Sequence, residues 1–274
     1  MAPIDGPRQF RQDKDMPILI ILLAAFQAMA ADAVRPLPRA HAHNDYEHGR
    51  PLLDALEQGF GSVEADVHLV KGELLVAHDA EDVQAGRTLA KLYLEPLRER
   101  AAKNGGRVYP GGPSIVLLID LKTEAEATYR QLKEELKRYE EILTRFTTEG
   151  IATNAVTVIL SGNRPRATLL AEENRLAAFD GRLSDLGQPW PVSFMPLVSD
   201  NWRSHFQWRG EGEFSEAERQ KLRAIVERVH AEKRMIRFWA TPDAQKAWEA
   251  LRAAGVDLLN TDDLAGLASF LREP

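Results

Sequence analysis

Ser114-Ile115-Val116-Leu117-Leu118-Ile119-Asp120 is a continuous apolar run that ends on a carboxylate. A strand buried on both faces reads this way, because helices cover a parallel sheet on both sides. On the N-terminal side, strand-like pieces lie at 39–43, 61–69 and 73–77, the last two joined by Lys71-Gly72. On the C-terminal side they recur at 155–160, 176–179, 192–198, 235–239 and 256–260. Helical patterns separate them at 51–59, 88–104, 124–146, 166–173, 215–233, 241–255 and 264–272. Pro51 and Gly59 bracket the first helix, and Ser215 with Glu218 gives a capping-box spacing at another. Strands alternating with helices over this length predict a parallel sheet, specifically a single-domain (β/α)8 TIM barrel over residues 34–274. An open doubly wound sheet is the competing architecture. No strand is followed by a GxGxxG or GxxxxGK[ST] loop.

Bulk composition narrows the function. The 274 residues carry a net charge of −6 and are 44% hydrophobic and 28% charged, values of a globular chain and not of a nucleic-acid binder. The absence of cysteine excludes disulfides, thiolate metal sites and a cysteine nucleophile. The apolar run Pro17–Met29 follows Arg8, Arg11 and Lys14 and ends at Ala28-Met29-Ala30. That is the pattern of a secretory signal peptide over residues 1–30, too short to span a bilayer comfortably. The expectation is an exported protein, periplasmic or secreted, with no stable membrane span once the segment is removed.

Barrel enzymes place their chemistry at the C-terminal ends of the strands, so the polar residues there are the candidates. Glu64 and Asp66 lie two apart in Ser62-Val63-Glu64-Ala65-Asp66-Val67-His68 and point to one side of a strand. Two carboxylates on one side suit a hard divalent cation, or equally a solvent-facing edge strand. The other strand ends offer His41-Ala42-His43-Asn44-Asp45, His78-Asp79, Asp120-Leu121-Lys122, Ser161-Gly162-Asn163-Arg164, Asp180-Gly181-Arg182 and Asp200-Asn201-Trp202. Glu64, Asp66 and Asp120 could together hold one Mg²⁺ or Ca²⁺, His43 and His78 could act as general base and acid, and Lys122 could neutralise an anion. That set suits a phosphodiester. Arg164 and Arg182 are candidate phosphate clamps, Arg182 being equally a salt-bridge partner of Asp180 or Asp185. Trp202, Phe206 and Trp208 are either a wall for a headgroup or packing residues.

The segment HAHNDYEHGRPLLDALEQGFGSVEADVHLVKGELLVAHD (residues 41–79) resembles the opening of the glycerophosphodiester phosphodiesterase and phosphatidylinositol-phospholipase-C-like superfamily. LLIDLKT at 117–123 is similar to its acid-x-Lys element, and GVDLLNTDDL at 255–264 to its closing motif. RFWATPD at 237–243 stands where that family has a tryptophan. The HNDY and FDGRLSDLG segments are closest to the branch named for altered inheritance of mitochondria protein 6. The resemblance implies a metal-dependent phosphoric diester hydrolase acting on a small or lipid-derived phosphodiester. It implies that His43 and His78 are the acid/base pair, that Glu64, Asp66 and Asp120 are the metal ligands, and that Lys122, Asn44 and Trp239 face the substrate. The family has Arg-Gly after its first histidine; here Asn44-Asp45 stand there, which leaves the substrate open, and His41 competes with His43 for the catalytic position. Two other outcomes are an amidohydrolase-like or PHP-like hydrolase, with His41-x-His43 as a transition-metal pair, and a barrel that binds phosphodiesters without turnover.

Overall fold

The computed structural model describes residues 34–273; the expected export segment lies outside the described residues. Eight strands run parallel: β1 (Leu37–Ala42), β2 (Phe60–Val70), β4 (Ile115–Leu121), β7 (Val156–Gly162), β9 (Ala177–Gly181), β10 (Leu197–Asn201), β11 (Met235–Trp239) and β12 (Leu259–Thr261). They pair in the order β11-β10-β9-β7-β4-β2-β1-β12. The circle is completed by one parallel bridge, Arg237 to Leu258. The architecture is therefore the expected (β/α)8 barrel, nearly closed and not an open sheet. Outer helices include α2 (Glu95–Lys103), α3 (Ala125–Lys137), α6 (Glu216–Ala231), α7 (Gln245–Ala254) and α8 (Leu264–Arg272). Among the described residues no helix is long and apolar enough to cross a membrane.

Several segments differ from the sequence expectation. The helix expected over 124–146 ends at Lys137, and its tail becomes β5 (Arg145–Thr147), which pairs antiparallel with β6 (Ile151–Ala152) and β8 (Asn174–Arg175). Phe146 from this small sheet packs with Val116, Leu118, Ile159, Ala178, Leu197 and Leu258 inside the barrel. An apolar residue that looked like one more helical position is thus part of the barrel core. The strand expected over 192–198 starts only at Leu197, because Pro191 to Met195 turn back on themselves and Phe194 N–H and Met195 N–H both donate to the Pro191 carbonyl. The piece at 73–77 is not a barrel strand. It forms β3 (Glu73–Val76), which turns back antiparallel on β2 through Lys71 (φ 51°) and Gly72 (φ 85°), the paired positive angles of a tight hairpin.

That hairpin and the β-sheet register position the candidate site. β3 returns the chain so that Ala77 N–H donates to Asp66 O (3.2 Å), which sets His78 beside Asp66. β2 and β4 pair with Asp66 opposite Asp120, and β4 and β7 pair with Asp120 opposite Ser161. Gly162 then lies so close to β4 that a Cβ there would strike the Asp120 carboxylate and the Leu121 backbone, and its φ is +67°. Both steric room and backbone angle require glycine at this one place.

The loop after β1 is held from inside. Asp45 is fully buried; its Oδ2 accepts from Leu52 N–H (2.5 Å) and from the Tyr93 hydroxyl (2.9 Å). This fixes the turn carrying Asn44 and Tyr46, where Asn44 adopts the left-handed region (φ 47°) that asparagine tolerates. Burial pushes the Asp45 carboxyl up to about 6, against the opposing effect of the Leu52 and Tyr93 donors. A folded-state pKa above the unfolded value stabilises the fold at low pH, and that contribution is lost as pH rises through about 6.

Two outcomes follow. Gly162→Ala should lower stability by about 2 kcal/mol or more, measured by denaturant unfolding, and should disturb Asp120. Asp45→Asn removes the titration, so thermal unfolding across pH 4–8 should show the variant gaining on wild type as pH rises through 6, by up to about 3 kcal/mol. A pH-independent difference between the two would refute the second expectation.

Candidate active site

The C-terminal mouth of the barrel holds a cavity of about 290 Å³ lined by His43, Asn44, Glu64, Asp66, His78, Asp120, Lys122, Ser161, Arg182, Arg237 and Trp239. The eight residues that the family resemblance assigns to the site, His43, Asn44, Glu64, Asp66, His78, Asp120, Lys122 and Trp239, all lie on this lining. Glu64, Asp66 and Asp120 each offer a ligand atom within 4.8 Å of the others, so the edge-strand alternative for Glu64 and Asp66 falls: both are buried.

Three acids so close repel, and the pocket shows how that is relieved. Asp66 Oδ2 accepts from Lys122 Nζ (3.0 Å), and Lys122 also pairs with Asp120 Oδ1 (3.3 Å). Burial lowers the Lys122 pKa less than the two carboxylates raise it, so its charge is retained. Burial and the neighbouring carboxylates push Asp66 and Asp120 above their ordinary range despite this lysine. Glu64 is different. Burial would raise it, but the Arg237 guanidinium at 2.5 Å and the His41 hydrogen bond hold it below its usual range. Both of these partners meet Oε2, which leaves Oε1 for a ligand. Asp66 Oδ1 is buried with no hydrogen-bond partner among the described residues. An unpartnered buried carboxylate oxygen among two further carboxylates is a donor set that fits a hard divalent cation.

The histidines separate clearly. His41 is completely buried beneath the pocket, with Nδ1 on Ser62 Oγ (2.7 Å) and Nε2 on Glu64 Oε2 (3.1 Å). Burial and the Arg237 charge push it down to about 3, so it stays neutral. Both ring nitrogens are taken, so a His41-x-His43 metal pair does not form, and the amidohydrolase-like reading loses its basis. His43, two residues on, lines the pocket and donates from Nδ1 to Asp262 Oδ1 (2.8 Å). Burial would depress its pKa; the Asp262 hydrogen bond and the charges of Glu64 and Asp262 outweigh that and raise it. His78 Nδ1 lies 3.1 Å from Asp66 Oδ2 and 3.0 Å from the Tyr46 hydroxyl. In both His43 and His78 a carboxylate accepts from Nδ1, so among the described residues Nε2 is the free nitrogen.

Some functional partners escaped the sequence analysis. Tyr46 bridges the site, its hydroxyl 2.7 Å from both Asp66 Oδ2 and Asn44 Oδ1. Arg237, in the middle of an apolar strand, also donates from Nε to Asn260 Oδ1 (2.9 Å). Its only signal was a charge two residues before Trp239, which strand alternation sends to the same face. Asp243 accepts from Thr261 Oγ1 (2.7 Å) and from Asp262 N–H (2.8 Å), which fixes the backbone of Asp262, the partner of His43. Arg182 faces the pocket and pairs with Asp180 (2.8 Å), whereas Arg164 donates to the Asp180 backbone and is not on the lining. Trp202, Phe206 and Trp208 are buried against one another and against Phe214, so they form packing and not a headgroup wall.

Comparison with known proteins gives the family and the fold. The AIM6-like phosphodiesterase domain family matches residues 29–180, and the glycerophosphoryl diester phosphodiesterase family matches residues 235–265. Altered inheritance of mitochondria protein 6 from Eremothecium gossypii is 30% identical over 288 residues, spanning 89% of this chain and 73% of that protein. Its homolog from Arthroderma benhamiae is 28% identical, spanning 84% and 82%. Glycerophosphodiester phosphodiesterase structures from Parabacteroides distasonis and Agrobacterium tumefaciens share the fold, each with a TM-score of 0.52. They are 16% and 14% identical and cover 85% and 87% of this chain, and the matched parts are 96% and 100% of their own chains. By family match, relatives and fold together, the chain belongs to the AIM6-like phosphodiesterase domain family.

Proposed function

We propose that the protein is a divalent-cation-dependent phosphoric diester hydrolase. The observation that carries this is the meeting, in one cavity, of three carboxylates, a lysine and two histidines whose Nδ1 atoms are both engaged by carboxylates. Glu64, Asp66 and Asp120 would hold a single Mg²⁺ or Ca²⁺, which when bound polarises a phosphoryl oxygen and offsets developing negative charge. Lys122 adds a positive charge on the same side and steadies the anionic diester. Asn44, held by Tyr46, and Trp239 border the space where the alcohol groups lie.

His43, whose pKa the Asp262 hydrogen bond raises against the effect of burial, is the group suited to protonate the leaving oxygen from Nε2. His78, with Nδ1 donating toward Asp66 and Tyr46, presents Nε2 as the acceptor for the proton of the attacking hydroxyl. Roles would exchange in the reverse direction. The barrel-without-turnover alternative rested on the missing arginine after His43. Arg237 weakens it by bringing a guanidinium to the same cavity from β11. The substrate is a small or lipid-derived phosphodiester, and residues 1–30 carry the pattern of a signal for export.

Purified protein should hydrolyse bis(p-nitrophenyl) phosphate or a glycerophosphodiester when Mg²⁺ or Ca²⁺ is added, and excess chelator should stop it. His43→Ala should lower kcat by about 10²–10⁴-fold. Glu64→Gln should weaken cation binding in titration calorimetry and remove turnover. Full activity in either variant, or in chelator, would sink the assignment. Asp262→Asn removes the group that raises the His43 pKa, so the alkaline limb of the kcat–pH profile should move to lower pH; an unmoved limb would take the acid role away from His43.

A further inference from the structure

Arg182 lines the same cavity and is not one of the cation ligands. It follows β9 directly, and its guanidinium carbon lies 4.7 Å from the centre of the Trp239 ring. Nη1 is committed to Asp180 Oδ2 (2.8 Å) and to the Gly181 carbonyl (2.9 Å), while the backbone N–H is tied to Asp185 Oδ2 (2.8 Å). Among the described residues Nη2 touches only the Ser161 hydroxyl, at 3.4 Å, and that hydroxyl is itself donating to Asp180 (2.9 Å). The guanidinium is therefore held rigidly, with one end partnered and the other end facing a cavity that Ser161, Arg182 and Trp239 all line.

This arrangement has a consequence for the alcohol part of a substrate. An indole face exposed in a pocket is a good seat for a quaternary ammonium. Here the Trp239 ring already has Arg182 against it, and the protein's own cation would repel a second one. Asp180, the nearby acid, is fully buried and does not line the cavity; its Oδ2 is engaged by Arg182 and Ser161, and its unpartnered Oδ1 is buried away from an incoming cation. The remaining carboxylates face Lys122, Arg237 and the proposed divalent ion. What the wall does offer is an N–H donor, which seeks oxygen.

Building on the phosphodiesterase reading, we infer that Arg182, stacked on Trp239, selects the alcohol: the site takes phosphodiesters whose alcohol presents hydroxyl or anionic oxygens, and rejects those bearing choline or another ammonium group. Three probes separate the subsites in titration calorimetry of the cation-loaded protein. Inorganic phosphate reports the phosphate subsite alone, and sn-glycerol 3-phosphate and phosphocholine add one alcohol of each kind. Wild type should bind glycerol 3-phosphate about tenfold or more tightly than phosphocholine. Arg182→Gln should reduce that preference to less than about threefold, and Arg182→Lys, which keeps the charge, should preserve the rejection of phosphocholine. Phosphocholine binding as tightly as glycerol 3-phosphate in wild type would overturn the inference without any variant being needed. An unchanged preference in Arg182→Gln would overturn it as well. If inorganic phosphate itself fails to bind, the phosphodiesterase reading falls first and takes this one with it, so the two failures are told apart.

Discussion

Three carboxylates within one ligand sphere at the mouth of a barrel are a strongly unfavourable arrangement unless positive charge is supplied, and most of the site is the supply of that charge. The protein provides two cations from different strands. Arg237 takes one oxygen of Glu64, and Lys122 bridges Asp66 and Asp120. Breaking either pair would leave a buried acid without compensation, which costs far more than a surface ion pair is worth. The unpartnered Asp66 Oδ1, with the Glu64 Oε1 that neither Arg237 nor His41 engages, is where a further positive charge fits.

Arg237 also has an architectural part. β11 and β12 meet through a single bridge, the thinnest seam of the barrel. The arginine at that bridge reaches Asn260 on β12 and Glu64 on β2, so the side chain joins three strands across the interior where backbone pairing is sparse. The same contact holds Glu64 in place and adds to the burial that keeps His41 neutral, which lets His41 serve as a buried hydrogen-bonding support for Glu64. Closure of the barrel and preparation of the site are in this way one set of interactions.

The two histidines are oriented by unrelated routes that end in the same geometry. His43 depends on Asp262, which depends on Asp243 at the approach to α7. His78 depends on a hairpin that folds β3 back on β2 and on the hydroxyl of Tyr46, whose loop is pinned by buried Asp45. These supports draw on residues far apart in the chain, and each carries only an ordinary polar residue as its signature.

Local patterns were enough to read the alternation of strands and helices, the barrel class, and the acidic, basic and histidine residues at strand ends. Those features depend on side-chain period and on residue type alone. The end of α3 at Lys137 and the late start of β10 were not legible, because apolar residues such as Phe146 satisfy a helical period and are recruited instead into the barrel core. Nor could a strand period of two choose between His41 and His43, since both point inward. Depth separates them: His41 lies one pleat lower, where its nitrogens are consumed by Ser62 and Glu64, and His43 reaches the open cavity. Arg237, Tyr46 and the stacking of Arg182 on Trp239 likewise came only with the tertiary structure, since a charge inside an apolar strand acquires meaning from the acid it meets across the barrel.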